Sequence, residues 1–186
     1  MRALVFGSAA DYVAPTGQFD MVLAANGGAG LARRAGYRLD ALVTTAWCAH
    51  DNEPHREIWE QWRDLYVPVA WVDETDGLAG DLCRRFEAVH AVVDKLVPMS
   101  SAFKWALIRK WTGTDYGHSD EHPDKRVSTG VTAVVLALEW GATIVTLAGF
   151  STRPGHAYTT RIDPLYHQKP DAAVLAHLRK FGCLTA

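Results

Sequence analysis

The residues best placed to do chemistry sit where short apolar runs end in glycine and small polar side chains. Arg126-Val127-Ser128-Thr129-Gly130-Val131-Thr132-Ala133-Val134-Val135-Leu136-Ala137-Leu138-Glu139-Trp140-Gly141 reads as a helix capped by a hydroxyl of Ser128 or Thr129 and stopped by Gly141. Gly130 keeps its first turn open, and its body is apolar almost all round, as in a helix pressed against a sheet. The N-terminus of such a helix carries unpaired N–H groups and the positive end of a dipole, so it is a ready anion site. A well-capped buried helix is equally ordinary scaffold, and both readings stand. Upstream, one apolar run ends at Gly7-Ser8-Ala9-Ala10-Asp11. A glycine followed by small residues there lets a ligand approach the backbone, or simply makes a tight turn. A second run ends at Asn26-Gly27-Gly28, where Asn26 either offers an amide to a base or sugar or caps the next helix.

Other chemistry is weaker on the same grounds. Asp115, His118, Asp120, His122 and Asp124 mix imidazoles and carboxylates, as a zinc site does. They fall on no helix, however, and mixed-charge loops are usually solvated, so no metal site is assigned. His50 and His55 flank Asp51 and Glu53 in the same ambiguous way. Cys48 lies just beyond a strand end without a histidine or asparagine beside it to make it a nucleophile. Three spaced glycines of the dinucleotide fingerprint are absent after the first strand, which disfavours NAD. Of the tryptophans, Trp59, Trp62, Trp105 and Trp140 fall at helical spacings that suit packing, whereas Trp47, Trp71 and Trp111 stand near element ends where a sugar could bind.

The elements that must position these residues alternate along the chain. Strands are expected at 3–6, 21–25, 41–44, 67–72 and 142–148, each a short run rich in Val, Ile, Leu and Thr. Helices are expected at 28–35, 54–65, 78–94, 101–111 and 129–140, with a last one over 172–181 that has Pro170 at its first position and Asp171 in its first turn. Near-continuous apolar strands separated by helices imply an α/β, Rossmann-like fold: a mainly parallel sheet with helices on both faces. The polar stretch at about 112–127 interrupts this rhythm and reads as a lid-like loop within a single domain spanning 1–186.

Bulk properties exclude several classes. With 19 Lys+Arg against 21 Asp+Glu, the net charge of -2 argues against a body held on nucleic acid by phosphate neutralisation. No apolar run reaches the ~18 residues of a membrane span. The N-terminus enters a strand-like segment at once, without a secretion signal. Three widely spaced cysteines, Cys48, Cys83 and Cys183, fit a reducing, cytoplasmic setting without a disulfide framework. The oligomeric state is left open, a homo-oligomer included.

The order Ser128-Thr129-Gly130, apolar helix, Gly141, apolar strand ending in Gly149-Phe150, then His156-Ala157-Tyr158, then His167 ahead of a last helix resembles the sialyltransferases. The block from Ser128 to Phe150 looks like their small donor-binding motif, and 167–182 looks like the C-terminal segment of the bacterial members. Gly7 and Asn26 fall where that family places its cytidine-binding loops. The resemblance implies inverting transfer of sialic acid or a related keto-acid sugar from a CMP-sugar donor to a glycan hydroxyl. His167 would take the acceptor's proton, Tyr158 would hydrogen-bond the leaving phosphate, and His156 would assist it. Gly7, Ser8, Asn26, Ser128, Thr129 and Gly130 would hold the nucleotide. A monophosphate leaving group carries modest charge, so hydroxyls and a helix dipole suffice, and neither a metal nor another cofactor is required. Two departures from the family stand out. Thr152 and Arg153 occupy the place of a second phosphate-binding tyrosine, with Arg153 the substitute donor, and Gly7-Ser8-Ala9-Ala10 is a reduced first loop. Two other readings fit the same fold: a non-catalytic nucleotide-sugar binding module and a pterin pyrophosphokinase-like enzyme.

Overall fold

The computed structural model describes residues 1–9, 12–73, 79–116, 127–151 and 168–185. Its elements in chain order are β1 (Arg2–Phe6), β2 (Met21–Ala25), α1 (Gly28–Arg34), β3 (Ala41–Thr45), a 3₁₀ turn (Ala46–Ala49), α2 (Glu53–Trp62), β4 (Tyr66–Asp73), α3 (Ala79–Ala88), β5 (Val92–Met99), α4 (Ser101–Thr112), α5 (Thr129–Glu139), β6 (Ile144–Ala148), α6 (Gln168–Lys180) and β7 (Leu184–Thr185). The seven strands form one sheet in the order β5-β4-β3-β2-β1-β6-β7, and every neighbouring pair is parallel. The Rossmann-like α/β architecture expected from the sequence is the one observed.

Two-residue alternation sorts the strand side chains into two cores. Ala3 and Val5 of β1, with Met21, Leu23 and Ala25 of β2, pack under α4, α5 and α6. Leu4 and Phe6, with Val22 and Ala24, pack under α1, α2 and α3 on the other face. Because both faces are covered, β2 is buried at all five positions, the physical reason its sequence is an unbroken apolar run. Helix α5 is buried from Val131 through Leu138, wedged between sheet and neighbouring helices.

From β1 the chain works outward to β5, then returns with β6 on the other side of β1. This reversal makes the gap between the carboxyl ends of β1 and β6 the switch point, where open α/β sheets bind ligands. Gly7 and Gly149 follow those two strands directly.

Three expectations about elements need correction. The helix expected at 78–94 ends at Ala88, and β5 begins at Val92. The break is made by His90 in a left-handed conformation (φ 57°), with no glycine or proline to announce it. As an edge strand, β5 is solvated enough to hold Asp94 and Lys95 exposed, which hides its apolar signal. The last helix starts at Gln168, four residues earlier than expected, so Pro170 is its third residue and not its first. A two-residue strand, β7, follows Gly182 and extends the sheet beside β6.

Candidate active site

At the switch point the backbone itself is the structure. The Gly7 amide donates to the Ala148 carbonyl at 2.7 Å, and the Ala9 amide donates to the Gly149 carbonyl at 2.8 Å. A Cβ at Gly7 would collide with the Gly149 carbonyl oxygen. Gly149 takes φ +69°, which lets the chain cross over Gly7, and Phe150 follows. Gly28, at the start of α1, packs as tightly: its Cβ would stand 2.6 Å from the carbonyl oxygens of both Phe6 and Gly7. On the opposite face, a Cβ at Gly130 would come within 3.0 Å of the Phe150 ring. Gly7, Gly28, Gly149, Phe150 and Gly130 therefore form one contiguous seam, with half-buried Ser8 and Thr129 beside it.

Asn26 ends β2 in a left-handed conformation (φ 46°), which asparagine tolerates better than most residues. The alternative that it caps α1 does not hold: Gly27 is the cap residue, and no side chain bonds there. The Asn26 side-chain oxygen instead accepts from the Thr44 hydroxyl at 2.9 Å, with the Cys48 thiol 3.8 Å away. Its main-chain carbonyl accepts from the Trp62 indole at 3.0 Å. Thr44 and Trp62 thus hold the asparagine from both ends, and among the described residues its amide NH₂ is the arm left to donate. Burial pushes the Cys48 thiol up to about 11, more than offsetting the hydrogen bond from Thr44, so this sulfur stays protonated at neutral pH. Beyond it, Trp47 is exposed at the end of β3, its ring 5.3 Å from that of His50. His55 Nδ1 donates to the His50 carbonyl oxygen at 3.0 Å, and burial holds its pKa below the usual imidazole range.

The start of α5 is tied in four directions. Ser128 caps the helix by accepting from the Val131 amide at 3.2 Å. Its carbonyl accepts from the Thr132 amide and hydroxyl, each at 3.0 Å. Its own amide donates to Asp171 Oδ1 of α6 at 2.8 Å. Burial raises the Asp171 carboxyl to about 6, against the opposing pull of the Ser128 bond and of the Lys104 charge. Lys104, in turn, donates to Asp73 Oδ2 at 2.5 Å, and these two residues are only 4% and 7% exposed. A chain of charged side chains therefore runs from the end of β4 through α4 to the first turn of α6.

Next to this chain a cleft of about 420 Å³ is lined by Trp71, Pro98, Ser100 and Phe103, large enough for a small ligand. The Trp71 ring stacks on Phe103 at 6.2 Å and 17°, an apolar plane of the kind a sugar face covers. Trp111 is committed elsewhere, its indole donating to Glu139 at 3.1 Å. Among the described residues, no three His, Cys, Asp or Glu side chains are placed to hold a metal ion. Asp115 is paired with Arg109 at 2.6 Å. His118, Asp120, His122 and Asp124, like most of the 112–127 loop, lie outside the described residues.

Of the sequence-predicted site residues, the structure brings Gly7, Ser8, Asn26, Ser128, Thr129 and Gly130 to the carboxyl end of the sheet. His167, His156, Tyr158 and Arg153 lie outside the described residues. Sequence reasoning missed Asp73, Lys104 and the bond made by Asp171. One signal was legible: Lys104 occupies a stripe position of α4 shared with Leu107 and Ile108, where a lysine needs a buried partner.

A parallel Rossmann-like sheet with a seam of close backbone at its switch point defines the structural class. No protein-family profile matches the chain. No curated protein matches it either. Among solved structures, it is similar to sialyltransferase CST-II in complex with trisaccharide acceptor and CMP, at 14% identity and a TM-score of 0.56, over 97% of this chain and 77% of that one. It is likewise similar to CstII from Campylobacter jejuni in complex with the substrate analogue CMP-3FNeuAc, at 12% identity, a TM-score of 0.54 and the same coverage of 97% and 77%. Identity at this level shows a shared fold.

Proposed function

We propose that this protein is an inverting glycosyltransferase that moves sialic acid or a related keto-acid sugar from a CMP-sugar to a glycan hydroxyl, without a metal. The observation that carries the reading is the 2.8 Å bond from the Ser128 amide to Asp171. It joins the α5 start, where the nucleotide would sit, to the first turn of the helix that His167 directly precedes in sequence. Support also comes from the solved structures of matching fold, which hold CMP, a CMP-sugar analogue and a trisaccharide acceptor. In the proposed reaction the acceptor oxygen forms a bond to the anomeric carbon as the bond to the phosphate oxygen breaks. CMP leaves with that electron pair, and His167 receives the acceptor's proton. An unperturbed imidazole titrates near ~6.5, so much of it is free base at neutral pH. Asn26, held by Thr44 and Trp62, would offer its NH₂ to the base or sugar. Tyr158, His156 and Arg153 would meet the leaving phosphate.

The test separates catalysis from mere binding. CMP added at one hundred times its Kd, without divalent metal, is expected to stabilise the protein by about 2.7 kcal/mol in thermal unfolding. CMP-sialic acid is expected to be hydrolysed or transferred by the wild type, and His167→Ala is expected to abolish that turnover while leaving the CMP-induced shift nearly intact. Binding without turnover in the wild type would leave the non-catalytic module as the better account. Stabilisation by ATP only with Mg²⁺ would favour the pyrophosphokinase reading.

A further inference from the structure

We propose that the cleft between the ends of β4 and β5 and the first turn of α4 binds a neutral pyranose ring, the remote residue of a glycan acceptor. The inference rests on the transferase reading above for the source of the ring. The chemistry of the cleft stands on its own residues.

Two buried polar atoms carry it. Trp71 Nε1 and Asp73 Oδ1 are shielded from water, and neither has a hydrogen-bond partner among the described residues. Buried polar atoms in folded proteins are nearly always paired, so such orphans point to a partner from outside the chain. Strand alternation puts Trp71 and Asp73 on the same face of β4, about 7 Å apart along the strand. It is the face covered by α4, whose Lys104 holds the other oxygen of Asp73. The indole N–H needs an acceptor and the carboxylate oxygen needs a donor. Each hydroxyl of a sugar is both, so two neighbouring ring hydroxyls answer the pair together. The negative charge of Asp73 repels an anionic sugar and selects a neutral one.

The rest of the cleft matches the body of such a ring. Its volume of about 420 Å³ lies in the range of small-molecule sites, and its lining is Trp71, Pro98, Ser100 and Phe103. The Trp71 and Phe103 rings lie 6.2 Å apart at 17°, and Phe103 is 44% exposed. The C–H groups of a pyranose form a flat apolar face that packs on aromatic rings, while its hydroxyls point outward at the ring edge. A hydroxyl reaches the two orphan atoms as the Phe103 side chain changes rotamer, a common adjustment at binding surfaces. Ser100 is exposed beside them. Its oxygen accepts from the Phe103 amide at 3.2 Å, a bond that leaves its O–H hydrogen unused.

Position assigns the source of the ring. In the sheet β4 lies three strands from β1, about 14 Å at ordinary strand spacing. A short oligosaccharide spans that distance and a monosaccharide does not. A ring held here therefore belongs to the far part of a chain whose reacting hydroxyl lies at the switch point.

The experiment titrates the isotopically labelled full chain with methyl β-glucoside and with a neutral galactose-ended tetrasaccharide, and follows the indole N–H signals by NMR. Seven tryptophans give seven such signals, and the one missing from Trp71→Phe identifies Trp71. The tetrasaccharide is expected to move the Trp71 signal and to bind at least about tenfold more tightly than the monosaccharide. Trp71→Phe keeps an aromatic ring but loses the N–H, and is expected to weaken tetrasaccharide binding about 3- to 10-fold with the CMP Kd unchanged. Should that variant not fold, Phe103→Ala decides: its side chain is exposed, a loss of about fivefold or more is expected, and wild-type affinity in it overturns the proposal. A Trp71 signal unmoved by either saccharide overturns it too, leaving water as the partner of the orphan atoms. Equal affinity for the two saccharides overturns the assignment to a glycan's remote residue. Turnover of CMP-sialic acid without saccharide binding at Trp71 keeps the transferase reading and overturns this site. Saccharide binding at Trp71 by a protein that neither binds CMP nor turns over a CMP-sugar keeps the pyranose site and overturns the transferase reading.

Discussion

Two regions at the carboxyl end of the sheet are built on opposite principles. Between β1 and β6, the seam of Gly7, Gly28 and Gly149 is made by side chains that are missing, so that main-chain atoms can touch. At the end of β4, the Asp73–Lys104 pair is made by two long or charged side chains that have almost no access to water. The seam resists any added atom. The ion pair resists the loss of Lys104, because Asp73 would be left a buried charge without its cation. One region limits what the sequence can add, the other what it can remove, and α5 begins between them.

The largest break in this contrast should come from Lys104→Met. It strands Asp73 in a site that is only 7% exposed, and is expected to lower unfolding free energy by about 3–5 kcal/mol in denaturant titrations. Adding Asp73→Leu should recover most of that loss, since an apolar pair of similar volume is often neutral there. A double variant no better than the single one would show that the pair is not the source of the effect.

Asp171 sharpens the comparison through pH. Its folded-state value of about 6 lies above the ~3.9 of an unfolded aspartate. The folded protein therefore holds an extra proton between those values. The stability this contributes is fully present below about pH 4 and is lost as pH rises through about 6. Asp171→Asn removes the titration, so its stability relative to wild type should climb across that window by an amount on the order of 2–3 kcal/mol. A difference between the two proteins that stays flat from pH 4 to 7 would contradict the burial argument.

On the seam side, Gly7→Ala forces β1 and β6 apart at a backbone contact, and about 1–3 kcal/mol of destabilisation is expected. An unfolding midpoint equal to wild type would mean the seam is looser than its geometry implies. The smallest effect should come from Ser128→Ala, which removes the cap on the Val131 amide, about 1 kcal/mol, and leaves the main-chain bond to Asp171 in place. A loss several times larger would place the Ser128 hydroxyl in more than capping.

Much of the fold was legible because burial on both faces leaves a simple trace. Strand β1 is apolar from Ala3 to Phe6 and β2 throughout, α5 is buried from Val131 to Leu138, and Ser128 marks its start with the expected cap. The helix–strand boundary at His90 was not legible, since a left-handed histidine is set by the packing around it and carries no local mark. The reading of Asn26 as a cap failed for a related reason. Thr44, on the neighbouring strand, competes for its side chain and wins it.

By itself the sequence determined the alternation of buried strands and helices, the glycines at the strand ends and the residue types offered at 126–130, because these depend on local pattern and composition. Only the tertiary structure decided that Gly7 makes room for the Gly149 carbonyl, that Lys104 pairs with Asp73, and that Asp171 reaches Ser128. Each of those contacts joins residues more than thirty positions apart in the chain. Their energetics depend on which strands lie side by side and how little water remains between them, which no local stretch of sequence specifies.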